Sequence, residues 1–236
     1  MRAASAALFI FATMSQELYD LFCEALTPFK QQRFDEVVNL RTRYLTVVLE
    51  DLYQSHNTSA ILRSMESFGI QDGYLIENTN PFQHLQRISK GAGKWLTLHR
   101  YNSTRSNTAE CVRDLKNKGY RLAVTHLHGN SIPLSELDLS QKTALVMGTE
   151  LSGASDYMVE QADVLVHIPM QGFTESLNVS AATSIALQYL TTNLRGSSID
   201  WQLSDEEKLE LKLEWARHSI HWWKHIEAEW HNKKHV

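Results

Sequence analysis

Short β-branched runs alternate with longer helical stretches along the middle of this chain, and that alternation restricts it to a parallel α/β sheet more firmly than any other feature. The candidate strands are Tyr44–Glu50, Gly73–Ile76, Trp95–Leu98, Arg121–Thr125, Thr143–Met147 and Val164–Ile168. Helical patterns at Ser59–Phe68, Asn107–Lys118, Asp156–Gln161 and Val179–Leu190 fall between or after them. One α/β domain is expected over residues 44–193, with helical extensions over 1–43 and 194–236.

The N-terminal extension is predicted helical from Ser15 to Arg43, and the C-terminal one begins after the Gly196-Ser197-Ser198 break. Ser204 followed by Glu207 forms a capping-box signature that starts a helix. Leu209, Leu213, Ala216, Ile220 and Trp223 then recur at spacings of three and four, an apolar stripe with Trp215 and Trp222 beside it. Residues Met1–Thr13 have an Arg and a short apolar run, the outline of a signal-peptide core. The reading preferred here is an upstream start, with Met14 as an alternative translation start.

The net charge of -4 and pI near 6.3 argue against generalised nucleic-acid binding, so any phosphate contacts must come from local clusters. Two are available: Lys30, Arg33, Arg41 and Arg43 near one end, and Arg217, Lys224, Lys233 and Lys234 near the other. No apolar run approaches the roughly 20 residues a bilayer span needs, so a soluble chain without a membrane partner is expected. Cys23 and Cys111 have neither disulfide nor zinc spacing, which fits a reducing cytoplasm and predicts no metal. His218, His221 and His225, with Glu214, form either a metal site or a solvated cationic helix face; the second is preferred.

Chemistry concentrates at three strand-to-helix turns. The first reads His56-Asn57-Thr58-Ser59-Ala60-Ile61-Leu62-Arg63; Asn57 and Ser59 are cap candidates, while Arg63 points away from the core. The second, Val146–Ser155, holds Gly148, Glu150 and Gly153 in a loop that is either an ordinary tight turn or a backbone cradle for a ligand. The third, Ile168–Ser180, places Ser176 and Asn178 before a helix, both again possible caps. Three polar turns on one sheet edge favour a shared site over three unrelated caps.

In order, N-x5-R, G-x-E with a trailing glycine, and I-P-M-x-G-x-x-x-S-L-N-V-S resemble motifs one, two and three of the SpoU/TrmH branch of the SPOUT RNA methyltransferases. Gly91-Ala92-Gly93-Lys94-Trp95 resembles the segment that family carries between motifs one and two. The resemblance covers Tyr44 to Leu190. It implies a trefoil-knotted parallel sheet, S-adenosylmethionine bound in the knot, and a homodimer whose site draws on both chains. Ordinary connection rules would instead predict an unknotted sheet.

The resemblance further implies 2′-O-methylation of a ribose, with Arg63 as the residue acting on the 2′-OH. Asn57 would position Arg63 or the ribose, Glu150 would hold the motif-two loop or help orient the site, and Ser176 and Asn178 would complete the pocket. Cofactor contacts would be mainly backbone, from Thr125, Gly148, Ile168 and Leu177. Helical extensions at both ends resemble the layout of tRNA guanosine-18 enzymes, making tRNA the expected partner. Methylation of ribosomal RNA or another tRNA position, and a non-catalytic RNA-binding protein, are the alternatives. Phe173-Thr174-Glu175 departs from the family's usual hydrophobic or amide residues, which bears on substrate choice.

Overall fold

The computed structural model describes residues 2–81, 91–104, 106–127 and 129–234; the side chains of Met1–Thr13 and Lys234 lie outside this description. Two compact units are present: residues 42–201, and residues 1–41 with 202–236.

The larger unit contains β1 (Leu45–Glu50), α3 (Ser55–Ser67), β2 (Asp72–Ile76), β3 (Thr97–Tyr101), α4 (Asn107–Asn117), β4 (Arg121–Thr125), β5 (Ile132–Pro133), β6 (Thr143–Met147), α5 (Asp156–Glu160), β7 (Val164–His167) and α6 (Val179–Gly196). α1 (Arg2–Ala25) and α2 (Pro28–Val38) precede it, and α7 (Asp205–Ser219) and α8 (Trp223–Lys234) follow. The strands form one parallel sheet in the order β3-β2-β1-β6-β4-β7-β5. This agrees with the parallel α/β reading of the sequence.

β1 and β6 are buried along their full lengths, as expected where helices cover both faces of a parallel sheet. Alternation sorts their side chains. Leu45, Val47, Leu49, Leu145 and Met147 pack with Ile61, Leu62 and Met65 of α3 and Leu187, Leu190 and Leu194 of α6. Val48, Ala144 and Val146 pack with Cys111, Val112 and Leu115 of α4 and Met158 of α5. Parallel pairing places the carboxyl ends of β1, β4, β6 and β7 along one edge, where the loops of an open α/β sheet collect a ligand.

Several local expectations change. Trp95 lies in a 3₁₀ turn (Ala92–Trp95), with the Lys94 ammonium 4.5 Å from its ring centre, and the strand instead occupies Thr97–Tyr101. Its His99 and Arg100 sit on a strand that, among the described residues, is an edge paired only with β2, so an apolar-run criterion misses them. β5 spans only two residues and has no run to detect. In the first extension, Thr27 caps α2 through the Lys30 amide and Pro28 occupies its first turn, so one predicted helix is two.

The second extension also divides. Ser204 and Glu207 make the expected capping box, but α7 ends at Ser219 and α8 begins at Trp223. His218, His221 and His225 therefore do not share a helix face; His218 and His225 instead approach Glu214 at 4.0 Å and Glu229 at 3.2 Å. Trp215, placed beside the stripe by spacing, is one of the largest fully enclosed side chains. It meets Phe34 edge-on at 5.6 Å and carries the Arg41 guanidinium 5.5 Å from its ring centre.

That packing corrects the phosphate-contact reading for Arg41, which is 1% exposed. Arg33 pairs with Glu36, Arg43 with Asp72 and Arg217 with Glu227, so much of the predicted basic surface is already neutralised. Lys30, Lys224 and Lys233 remain at least partly exposed. No described helix is long and apolar enough to cross a membrane.

Candidate active site

The turn after β1 enters α3 at Ser55, four residues earlier than the apolar pattern indicated. Asn57 and Ser59 are consequently inside the helix and cap nothing; Ser59 Oγ donates back to the Ser55 carbonyl at 2.9 Å. Freed from capping, the 4%-exposed Asn57 turns its side chain toward the other two motif loops. Its Nδ2 donates to Gln54 Oε1 and to Glu150 Oε1, each at 3.0 Å.

Asn178 completes the group while serving as the N-cap of α6. Its Oδ1 accepts from the Ser180 and Ala181 amides, and its Nδ2 donates to Asn57 Oδ1 at 3.1 Å and Glu150 Oε1 at 2.6 Å. One residue from each motif thus meets in a closed network, with the carboxylate accepting from both amides.

Beside this network lies a cleft of about 220 Å³, walled by the loops after β4, β6 and β7 and the start of α6. All four residues expected at a cofactor, Thr125, Gly148, Ile168 and Leu177, line it, as do Glu150 and Ser176. The Thr125 hydroxyl donates to the Val146 carbonyl at 2.9 Å, so its side chain serves the sheet. Gly148 is pressed against the backbone of Gly153 and Ala154, leaving no room for a Cβ. The loop is closed by paired backbone bonds between Thr149 and Gly153 at 2.9 and 3.1 Å.

A second anchor holds that loop. Glu50, 3% exposed at the end of β1, accepts from Thr108 Oγ1, Ser155 Oγ and the Ser155 amide, each at 2.8 Å. Ser155 is also the N-cap of α5. Sequence reading missed Glu50 because it closes an apolar strand without an obvious motif. His126 and His167 in the cleft were also missed; they immediately follow or end strands β4 and β7, the signal that could have found them.

Arg63 is exposed, away from this group. It follows Asn57 by six helical residues, about 9 Å along the axis and a third of a turn out of phase. It lines neither the cleft beside the motif network nor the one on the Tyr53 side of the Thr149–Ser152 turn, and it makes no hydrogen bond or ion pair with a described residue. Within one chain the structure gathers Asn57, Glu150, Ser176 and Asn178 near the cleft, but not Arg63.

The model of the SpoU rRNA Methylase family matches residues 44–188. The chain belongs to this family. The SpoU match thus takes in all three motif loops and the complete cleft wall. Among SpoU relatives, a tRNA (guanosine(18)-2′-O)-methyltransferase of Borreliella burgdorferi is 39% identical over 202 residues, covering 86% of this chain and 91% of that protein. The enzyme of the same name from Thermus thermophilus is 32% identical over 161 residues, 68% of this chain and 81% of the relative. The solved A. aeolicus TrmH/SpoU tRNA modifying enzyme superposes with a TM-score of 0.72 at 30% identity, covering 81% of this chain and 96% of that one. An AdoMet-bound rRNA methyltransferase from Sinorhizobium meliloti gives 0.58 at 27% identity, with 66% and 59% covered.

Proposed function

We propose that this chain is an S-adenosylmethionine-dependent tRNA 2′-O-methyltransferase acting on guanosine 18 of the D-loop. The observation that carries the reading is the meeting of Asn57, Glu150 and Asn178 beside the cleft lined by Thr125, Gly148, Ile168 and Leu177. The guanosine-18 assignment draws on the relatives from Borreliella and Thermus.

The cleft suits such a cofactor. Leu134, Met147, Val166, Ile168 and Val179 supply apolar walls for an adenine ring. Glu175 lines the same space with no described hydrogen-bond or ionic partner, so it is available to a cationic group. When bound, S-adenosylmethionine supplies an electrophilic methyl group. The closed Thr149–Gly153 turn presents backbone polar groups at a fixed position, and the neighbouring apolar walls restrict water.

The ribose hydroxyl becomes nucleophilic as its proton is lost, and a fixed positive charge lowers the cost of the resulting oxyanion. Arg63 supplies that charge in this proposal. A guanidinium is a poor proton acceptor but a good donor to anionic oxygens, which favours oxyanion or phosphate stabilisation over proton removal. Because Arg63 faces away from its own cleft, it serves the cleft of a second copy, and the enzyme acts as a homodimer. The exposed Ile185 on α6 and Phe173 beside the cleft are apolar surface suited to that association. Asn57 and Asn178 hold Glu150, Ser176 completes the pocket wall, and the fold carries the family's trefoil knot.

Residues 44–193 constitute the catalytic domain in this reading, and the extensions over 1–43 and 194–236 hold tRNA through Lys30, Lys224 and Lys233. The setting is cytoplasmic, where tRNA is available and unpaired Cys23 and Cys111 remain reduced. Mass-spectrometric mapping of 2′-O-methylation in unmodified tRNA and rRNA, using wild type and Arg63→Ala, tests the proposal. Methyl on the D-loop guanosine, absent with the variant, supports it; methyl elsewhere replaces the substrate, and no transfer to RNA overturns the activity.

A further inference from the structure

A second cleft, about 480 Å³, lies against the other side of the Thr149–Ser152 turn and shares Glu150, Leu151 and Val179 with the first. Tyr53 lines it at 81% exposure, and Leu52, Asn57 and Asn80 contribute to its walls. An exposed aromatic ring beside aliphatic surface, with amide and carboxylate groups at the edge, has the chemistry of a nucleobase platform.

The rim is held in place. Asp51 has φ 55°, an uncommon conformation for a residue other than glycine. Its Oδ1 accepts from the amides of Asn78, Thr79 and Asn80 at 3.1, 2.8 and 2.8 Å. Asn80 Nδ2 returns to the Asp51 carbonyl at 2.9 Å. These bonds tie the segment before Tyr53 to the segment containing Asn80, so the walls of the cleft are set before a ligand arrives. Because Asn80 uses its NH₂ group on Asp51, its Oδ1 is left as an acceptor. Glu150 directs Oε1 to Asn57 and Asn178, leaving Oε2 as a second acceptor. Two acceptors suit the N1–H and N2–H₂ edge of guanine better than the corresponding edge of adenine.

We propose that this cleft receives the base of the nucleotide being methylated, a guanine stacked on Tyr53 with its donor edge toward Glu150 and Asn80. Only a few bonds separate that base from its 2′-oxygen, so a base here leaves the ribose near the turn that both clefts share. The inference rests on the methyltransferase reading above and identifies how that same site recognises its nucleotide.

The test uses the full-length protein and an unmodified tRNA transcript, with Tyr53→Ala and Tyr53→Phe compared with wild type. Loss of one base-stacking contact corresponds to an increase in KM for tRNA of about fivefold to 150-fold. Tyr53→Ala is expected to show an increase in that range with unchanged affinity for S-adenosylmethionine, and Tyr53→Phe to remain within about twofold of wild type because the ring persists. A transcript with an abasic site at the target keeps the ribose but removes the stacking partner. It should raise wild-type KM comparably, and Tyr53→Ala should add little further loss on that transcript. Wild-type-like KM in Tyr53→Ala, additive losses on the abasic transcript, or an altered oligomeric mass would overturn the subsite while leaving a methylating wild-type enzyme intact. Failure of the wild type to methylate any RNA would instead overturn the activity on which it rests.

Discussion

Asn178 Nδ2 lies 2.6 Å from Glu150 Oε1 while Asn178 Oδ1 caps α6, so one side chain fixes both the start of a helix and the orientation of a carboxylate in another loop. Removing Glu150 would leave the Asn57 and Asn178 amides without their shared acceptor. Hydrogen bonds to a charged group contribute about 1.5–3 kcal/mol, so Glu150→Ala should lower kcat/KM for tRNA by roughly tenfold to 150-fold. Glu150→Gln retains an acceptor and should lose less. Methyl-transfer kinetics on an unmodified transcript compare the two; equal rates for wild type and Glu150→Ala would remove this network from the site's ordering.

The glycine at the end of β6 tests how much the cleft depends on close backbone approach. A Cβ at Gly148 would overlap the backbone of Gly153 and Ala154, and no flexible side chain can yield. Gly148→Ala should therefore disrupt the loop and reduce S-adenosylmethionine binding by about fivefold to 150-fold, the equivalent of the cost on the order of 1–3 kcal/mol typical of overpacking. Gly172→Ala is the matched control because, among the described residues beyond its chain neighbours, no heavy atom lies within 4 Å of its added Cβ. Calorimetric titration of both variants would expose the difference. Equal binding by Gly148→Ala and Gly172→Ala would mean that the turn accommodates a side chain.

Ser155 should affect the cofactor more than the RNA. Its hydroxyl donates to buried Glu50 at 2.8 Å and caps α5 at the Met158 amide, so Ser155→Ala releases the far end of the turn from two constraints. Loss of a cap costs about 0.5–2 kcal/mol, which predicts a rise of roughly twofold to 30-fold in KM for S-adenosylmethionine. The kcat at saturating cofactor should change by less than about twofold if only uniform binding is lost. Steady-state kinetics with either substrate varied will separate these effects; a fall confined to kcat contradicts this role.

The sequence carried the sheet class and the residue content of the site further than it carried their geometry. Alternation exposed β1, β4 and β6 because each is apolar and mostly enclosed, and β7 because it is apolar although only Val166 is buried. β3 was displaced because His99 and Arg100 give an edge strand a polar pattern. Motif spacing named Asn57, Glu150 and Asn178, but not that their side chains meet, since residues 57, 150 and 178 come together only when the sheet forms. Arg41 was the reverse case. Sequence identifies a cation, whereas packing against Trp215 decides that it is inaccessible.

Acid stability should report on the edge of the sheet remote from the motif loops. Burial raises the Asp72 carboxyl, but His99 Nε2 at 3.6 Å and the Arg43 guanidinium at 3.1 Å lower it, and the net direction is downward. The folded-state value is thus below the unfolded one. This group's stabilisation is fully present above the unfolded carboxylate value and is lost as pH falls through the lower folded value. Thermal melts should show this contribution to be constant at neutral pH and declining in the acidic range below about pH 4. Asp72→Asn removes the titrating charge and leaves Arg43 without this partner. It should lower Tm at pH 7 and weaken the acid-dependent part of the decline relative to wild type. An unchanged Tm at pH 7 together with an unchanged acid slope would show that the Asp72–Arg43 pair contributes no net stability, because desolvation of the carboxylate cancels its attraction to the Arg43 guanidinium.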